Sequence, residues 1–250
     1  MKMTKKKVFV IALAVCLIAI ISMGTLAWFN ANSSMENTFL VATDENGKPD
    51  FSVDLYENVI GADNKFADTN GDNVIDDKDA VVREGGNTYK DILPGDELDK
   101  NPTVKNTGAY EQYIRAYVTF PQAKALQDAC AKYGISTDLR EWLNVDATVW
   151  AMAEAREDQA TGEVTYCYYL KNILDIEKTA TLFTNVTIPD KFVQEDFANF
   201  TEFKVGVKVD ALQTRNVITN NNPEMVDAQE AFLNIGWTAF ETYPDYTVNP

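Results

Sequence analysis

The hydrophobic and polar positions of this chain fall mostly into short alternating runs. Residues 202–212 place Phe203, Val205, Val207 and Val209 on one face. This period of two is typical of a half-buried strand. Further β-prone runs are residues 38–41, 51–56, 87–93, 98–106, 111–120, 146–155, 164–170 and 179–188. The pattern predicts about eight short strands separated by turns.

Helical spacing is found in fewer places. Residues 122–133 follow Pro121, carry one apolar face and end at Gly134, which predicts a helix. Residues 138–143 and 224–235 predict two more. Because strands and helices do not alternate regularly, a parallel βαβ arrangement is not expected. We predict a mainly β protein, an antiparallel jelly-roll-like sandwich with helical insertions in its loops.

The first 27 residues differ from the rest in pattern. Four lysines precede an apolar run at residues 8–21, and small residues follow up to Ala27. This layout is typical of a secretory signal peptide, and Thr25 and Ala27 fit the small positions before a cleavage site. We predict a signal peptide at residues 1–27 and a single domain at 28–250, secreted or associated with the cell surface. Since the apolar stretch extends to Phe29, an uncleaved membrane anchor is the alternative.

Charge and composition narrow the function classes. Removing residues 1–27 removes four lysines and no acid, which takes the formal charge from −16 to −20. Nucleic acid is therefore not an expected partner, because phosphate binding depends on basic patches. The chain contains no histidine, which excludes Ser-His-Asp, Cys-His and His-Glu-x-x-His chemistry. No pair of carboxylates stands out, and we predict no enzymatic activity.

Two cysteines remain after residue 27, Cys130 and Cys167. In an oxidising compartment they could form a disulfide bond. The alternative is two buried thiols. The sequence leaves both possibilities open.

Residues 68–79 (DTNGDNVIDDKD) have the spacing of an EF-hand-type calcium loop, with oxygen ligands at positions 1, 3, 5, 7, 9 and 12. The corresponding residues are Asp68, Asn70, Asp72, the Val74 carbonyl, Asp76 and Asp79. Asn73 replaces the usual glycine at position 6, and Asp79 replaces the usual glutamate at position 12. The loop resembles one of the paired calcium loops of bacterial dockerins, but this chain has only one.

Four carboxylates this close would repel one another without a cation. We therefore predict a single structural calcium site within an acidic insertion at about residues 58–80. A solvated acidic turn is the alternative.

Three segments carry a resemblance to a known family. They are Gly24-Thr25-Leu26-Ala27-Trp28-Phe29-Asn30, then Leu93-Pro94-Gly95-Asp96-Glu97-Leu98 followed by Val104-Lys105-Asn106-Thr107-Gly108, and finally residues 203–213 (FKVGVKVDALQ). In this order they resemble the TasA/camelysin family of secreted Gram-positive proteins. The match covers the two ends and the first third of the chain.

The resemblance implies a jelly-roll sandwich, export through a dedicated signal peptidase, and self-association into extracellular fibres of a biofilm matrix. In such fibres the N-terminal segment of one subunit adds as a strand to the next, here residues 29–43, with Phe39 and Val41 as apolar contacts. Pairing of Phe39–Val41 within its own subunit is the alternative. Some relatives are described as metalloproteases, which the absence of histidine puts in doubt here.

A second functional hypothesis is a monomeric, calcium-stabilised surface adhesin or glycan-binding module. Trp142, Trp150 and Trp237 would supply its stacking surfaces, although aromatic residues more commonly fill a core.

Overall fold

Antiparallel strand pairing organises this protein. The computed structural model describes residues 31–33, 41–43, 49–197, 203–215, 217, 219 and 222–240. By its internal contacts the chain divides after Asn30, and every described residue belongs to the unit Ala31–Pro250. The predicted signal peptide at residues 1–27 lies outside the described residues.

The described strands are all paired antiparallel. They are β1 (Ala31–Ser33), β2 (Val41–Thr43), β3 (Pro49–Phe51), β4 (Val53–Asn58), β5 (Val81–Val82), β6 (Glu97–Asp99), β7 (Thr103–Asn106), β8 (Gln112–Phe120), β9 (Trp150–Glu157), β10 (Val164–Leu170), β11 (Thr179–Thr181), β12 (Asn185–Thr187) and β13 (Gly206–Gln213). The helices are α1 (Ala123–Lys132), a 3-10 helix (Leu139–Trp142), α2 (Gln194–Phe197) and α3 (Asp227–Asn234). The predicted class, mainly β with antiparallel sheets and few helices, is confirmed.

The largest sheet has five strands in the order β1-β13-β8-β10-β9. A second sheet has four, in the order β11-β7-β4-β5, and two small sheets pair β12 with β6 and β2 with β3. The main sheets are linked by hydrogen bonds from Gln112 Nε2 to the Ser52 carbonyl (3.0 Å) and from Trp150 Nε1 to the Thr181 carbonyl (2.8 Å).

The central strand β8 of the five-stranded sheet is largely buried on both faces. Ile114, Ala116, Val118 and Phe120 alternate along it and are at most 1% exposed. Arg115 lies on the opposite face, where its guanidinium is 4.5 Å from the centre of the Phe232 ring of α3. The even-numbered side chains of β8 therefore point away from α3, toward the inner side of the sandwich.

The helices begin and end where local chemistry predicts. Helix α1 is followed by Gly134 with a φ of +64°, a conformation that glycine adopts without strain. The 3-10 helix begins after Asp138, whose carboxylate accepts a hydrogen bond from the Arg140 N–H at 3.1 Å. Among the described residues no helix is long and apolar enough to span a membrane.

Three predicted strands are wrong in extent or kind. Residues 98–106 contain parts of two strands, β6 and β7, which belong to different sheets. Residues 87–93 form no strand; Asp91 has a φ of +53°, and the Tyr89 hydroxyl donates to the Asp99 carbonyl at 2.7 Å. Residues 179–188 form β11 and β12, which belong to different sheets. Leu182 and Phe183, between them, are consecutive and both 2% exposed. This breaks the alternation that one continuous strand requires.

Candidate functional site

One edge of the five-stranded sheet is formed by β1, the first strand of the described residues. Strand β1 pairs with β13 at three positions, with Ala31 opposite Ala211, Asn32 opposite Asp210 and Ser33 opposite Val209. Strand β13 extends beyond this pairing by three residues, 206–208. Among the described strands, these three residues pair only with β8. Residues 34–40, which follow β1 in the chain, lie outside the described residues.

A cavity of about 520 Å³ opens beside this stretch of β13. It lies where the two main sheets and the small β6–β12 sheet meet. Its apolar wall is formed by Leu55, Leu98, Val186, Phe203, Val205 and Val207. Val207 is on the same face as Val209 and Ala211, which are 2% and 0% exposed. The cavity thus continues the inner face of the sandwich along β13.

A buried ion pair lies at one side of the cavity. The Lys100 ammonium contacts the Glu57 carboxylate, and their side chains are only 9% and 5% exposed. Asn87 Nδ2 donates to the second Glu57 oxygen at 3.4 Å. Removing one member would leave an uncompensated buried charge, so this pair fixes the polar side of the cavity. Burial also removes water from the hydroxyl group of neighbouring Tyr89, and this desolvation raises its pKa far above the usual value.

The sequence prediction missed this pair. Glu57 directly follows the predicted strand at residues 51–56 and continues the phase of Val53 and Leu55, which is a signal for a buried acid. Its partner lies 43 positions away in the chain, and no local pattern identifies it.

A second buried ion pair holds β13 from the opposite face. Arg115 Nη2 and Nε donate to Asp210 Oδ2 at 2.7 and 3.1 Å, and Nη1 donates to the Thr238 carbonyl at 2.9 Å. Arg115 is 1% exposed. The guanidinium also lies near the rings of Phe232 and Trp237. Since Asp210 is the register partner of Asn32, this cluster fixes the segment of β13 that β1 covers.

The aspartate-rich loop is closed by its own side chains. Asp68 accepts hydrogen bonds from the N–H groups of Gly71 and Asn73 at 2.6 and 2.8 Å. At the other end, Asp79 accepts from Thr69 (2.8 Å) and Asp76 (3.1 Å), and it is 5% exposed. Two further predicted ligands also accept hydrogen bonds from nearby backbone groups. Asn70 Oδ1 accepts one from the Asp72 N–H, and Asp72 Oδ1 accepts one from the Val74 N–H.

These contacts determine the charge of the loop. The N–H of Asp76 lowers the pKa of the Asp79 carboxyl, and the N–H and ammonium of Lys78 lower that of Asp76. Both groups are therefore held as carboxylates. Lys78 Nζ lies 3.0 Å from Asp76 Oδ2, so one cation of the chain already contacts a predicted calcium ligand.

The backbone of this loop has the conformation that a calcium site needs, whereas its side chains are not arranged around a metal position. Asn73 has a φ of +62°, the left-handed conformation for which EF-hand position 6 usually carries glycine. The donors are the hard oxygens that calcium prefers. However, the described residues contain no group of three or more acidic or cysteine side chains arranged to hold a metal. Calcium binding would require the carboxylates to turn from their N–H donors.

The remaining candidate residues are mostly core. Cys130 and Cys167, the two cysteines of the described residues, form no disulfide bond and are both buried thiols. Burial raises the pKa of Cys167 to about 12. Trp142 and Trp150 are 5% and 2% exposed and cannot stack on a glycan. Trp237 is half-buried and stacks on Phe232 at 5.8 Å.

The segments that carry the family resemblance are only partly described. Residues 24–30 lie outside the described residues. Leu93-Pro94-Gly95-Asp96 forms a turn before β6, closed by a hydrogen bond from Asp96 N–H to the Leu93 carbonyl at 3.1 Å. Residues 203–213 contain β13. Val41, a predicted donor contact, pairs with Phe51 of its own chain, whereas Phe39 is outside the described residues.

No family model matches the sequence, and comparison with characterised proteins and with solved structures gives no match.

Proposed function

We propose that this protein is an exported structural protein that assembles into fibres at the cell surface or in a biofilm matrix. Each copy would add its N-terminal strand to the five-stranded sheet of the next copy. The observation that supports this best is the position of β1, which lies close after the predicted cleavage site and pairs with β13 at the edge of the five-stranded sheet. The signal-peptide pattern and the resemblance to TasA/camelysin proteins support export and fibre formation.

Strand exchange has a low structural cost at this edge. The β1 strand of a neighbouring copy can make the same backbone pairs with β13 that β1 makes within its own chain. Because β1 belongs to the first residues after the predicted cleavage site, its exchange displaces no internal element. A contact of this kind joins two different surfaces, and it produces open filaments when the rotation between copies does not close a ring.

Calcium is proposed as a stabilising ligand of the loop at residues 68–79. The backbone turn at Asn73 and the ionised state of Asp76 and Asp79 support it. Asp68, Asn70, Asp72, the Val74 carbonyl, Asp76 and Asp79 would supply the oxygens. Calcium would bring these oxygens together and hold the loop against β4, where Asn58 Nδ2 donates to the Asp76 carbonyl at 2.7 Å.

Electron microscopy of the chain from residue 28 tests the assembly. We expect filaments, and we expect a variant lacking residues 29–41 to remain monomeric with an unchanged far-UV circular dichroism spectrum. A peptide of residues 29–43 should bind the shortened chain with one-to-one stoichiometry. Filaments that persist without residues 29–41 would contradict the proposal. A strictly monomeric full-length chain at every salt and calcium concentration would instead favour the adhesin hypothesis.

A further inference from the structure

We propose that Lys100 and Asn87 are the site of an intramolecular isopeptide bond, which the chain forms by itself with Glu57 as the acid–base group. The three side chains come from different parts of the sequence and line the same cavity beside β13. The reaction takes place once in each molecule, uses no external substrate, and joins the loop after β5 to the residue that follows β6. It depends neither on fibre formation nor on calcium.

Lys100 has the surroundings that suit a lysine nucleophile. Its side chain is 9% exposed and contacts the Glu57 carboxylate, whose side chain is 5% exposed. Lys65 and Lys78 also pair with acids, but their side chains are 48% and 71% exposed. Water stabilises an exposed ammonium, whereas burial penalises charged forms. In the buried pair, one proton can pass from Lys100 to Glu57, and this leaves a neutral amine with a free electron pair.

Asn87 holds its side-chain amide against the same carboxylate. Its Nδ2 group donates to Glu57 Oε2 at 3.4 Å and to the Asn58 carbonyl at 2.9 Å. Its Oδ1 atom accepts a hydrogen bond from the Ile60 N–H at 3.3 Å. A donor at this oxygen stabilises the negative charge that develops when a nucleophile attacks the amide carbon. The amide is therefore oriented by groups that the reaction uses.

Glu57 connects the two reactants, because Oε1 contacts the Lys100 amine and Oε2 contacts the Asn87 amide. The neutral amine attacks Asn87 Cγ, and a bond forms between Lys100 Nζ and Cγ. Glu57 delivers a proton to Nδ2 and takes one from Nζ, so that the Cγ–Nδ2 bond breaks and ammonia leaves. The ammonium, carboxylate and amide of the starting state thus become an amide bond, a carboxylate and one ammonium ion.

The low polarity of the site favours the neutral reactants. Leu55, Leu98 and Val186 line the same cavity, and desolvation raises the pKa of Tyr89 there. In such surroundings the charged pair is penalised relative to an amine and a carboxylic acid. The cavity of about 520 Å³ also has room for the released ammonia.

The bond would strengthen the place where the acidic insertion meets the sheets. Asn87 contacts Asn58 and Ile60 at the start of the insertion, and Lys100 lies between β6 and β7. The two cysteines of the described residues form no disulfide bond. An isopeptide bond would give this part of the chain a covalent cross-link that reducing agents do not break.

Peptide mapping of the unsubstituted chain tests the bond directly. Trypsin separates residues 84–90 from residues 91–105, and it cleaves after Lys100 only when that side chain is free. We expect the two segments to remain joined in one branched peptide, lighter than their sum by the mass of one ammonia, about 17 Da. Fragmentation should place the linkage between Asn87 and Lys100. Complete cleavage after Lys100, with a separate 84–90 peptide, would overturn the proposal.

Three variants assign the roles of the side chains by intact mass. Lys100→Arg keeps a positive charge beside Glu57 but does not form the bond, so the loss of ammonia should disappear. Glu57→Gln keeps the shape of the side chain and removes the acid–base group, and it should also abolish the loss. Lys65→Arg, at an exposed ion pair, is the matched control and should retain the loss. Circular dichroism checks that each variant folds.

The remaining outcomes each contradict one part of the assignment. A linkage from Lys100 to Asn58 or Asn101 would show that Asn87 is not the electrophile. Loss of ammonia that persists in Lys100→Arg would come from another reaction, and loss that persists in Glu57→Gln would remove Glu57 from the mechanism. If a variant fails to fold, the peptide map of the unsubstituted chain still decides whether the bond exists, in monomers and filaments alike.

Discussion

The two edges of the five-stranded sheet are built differently. Strand β9 forms one edge, and its last four residues, Glu154–Glu157, are exposed and include three charged side chains. The pairing register with β10 shifts between Cys167 and Tyr168, which marks a β-bulge. Charges and bulges both discourage the addition of another strand. At the opposite edge, β1 pairs with β13, and Gly206 and Val207 of β13 line a cavity.

Under the proposed function, this difference would make assembly directional. A sheet with one protected edge and one accepting edge would receive a strand on one side only. If the N-terminal segment is the donor, each copy has one donor and one acceptor, which is the requirement for a linear filament. The following predictions test whether the two edges differ in this way.

The largest expected effect is on the stability of the accepting edge. Arg115→Met leaves Asp210 buried without its partner and should cost about 3–5 kcal/mol of unfolding free energy, which lowers Tm by about 6–20 °C. Arg156→Met, at an exposed position in β9, should change stability by less than about 0.5 kcal/mol. Thermal and urea unfolding of the two variants measure the contrast.

A double variant, Arg115→Met with Asp210→Leu, provides the control for this prediction. Replacing a buried ion pair by apolar residues is often neutral or stabilising, so most of the lost stability should return. Equal effects of Arg115→Met and Arg156→Met would show that Arg115 does not fix β13.

The next effect is on assembly rather than folding. Val207→Lys places an ammonium in the apolar cavity beside Lys100, and we expect the critical concentration for filament formation to rise at least tenfold. Ala155→Lys, on the exposed part of β9, should leave it unchanged. Sedimentation of filaments over a concentration series measures both. A stronger effect of Ala155→Lys would mean that β9 is the accepting edge.

Calcium should act away from both edges. The loop is attached to the four-stranded sheet through Asp77, which lies 2.7 Å from Lys105 Nζ. At a calcium concentration ten times the dissociation constant, we expect stabilisation of about 1.4 kcal/mol and a rise in Tm of about 3–6 °C. Extracellular calcium modules bind at about 10⁻⁴–10⁻³ M, which sets the range for isothermal titration.

Asp72→Ala and Asp77→Ala form a matched pair for this test. Asp72 is a proposed ligand and Asp77 is not, although both are acidic residues of the same loop. In isothermal titration, the heat of calcium binding should disappear in Asp72→Ala and persist in Asp77→Ala. Equal heat in both variants, or none in the unsubstituted chain, would contradict a calcium site.

Local patterns in the sequence predict much of this fold. Strand β8 was predicted at residues 111–120 and is found at Gln112–Phe120, because both of its faces are dominated by β-prone side chains. Helix α1 follows from Pro121 and Gly134. The predicted strand at residues 87–93 is wrong because long-range hydrogen bonds, such as Tyr89 to the Asp99 carbonyl, hold the chain in a loop.

The candidate site was less predictable. The alternation of residues 202–212 identifies the inner face of β13, including Val207. The cavity beside it depends on β4, β6 and β12 meeting in space, and the Glu57–Lys100 pair joins residues from different strands or strand ends. Such contacts are set by tertiary packing, which no local period encodes.

The smallest expected effect concerns pH at the protected edge. Asp158 begins the turn between β9 and β10, and its carboxylate accepts hydrogen bonds from the N–H groups of Ala160 (2.8 Å) and Thr161 (3.2 Å). These N–H groups lower the pKa of Asp158 below its ordinary value of 3.8. Because the folded state lowers this pKa, the stabilisation is complete at neutral pH and is lost as pH falls through the folded pKa.

Urea unfolding of Asp158→Ala and of the unsubstituted chain should therefore differ at pH 7 and converge as the pH falls through the lowered folded-state pKa of Asp158. Asp175→Ala serves as the control, because Asp175 lies in an exposed turn between β10 and β11. Hydrogen exchange at acidic pH should then show faster opening of the β9–β10 turn than of β13, whose pairing with β8 does not depend on this carboxylate. Equal acid sensitivity at the two edges would mean that Asp158 contributes nothing specific to the protection of β9.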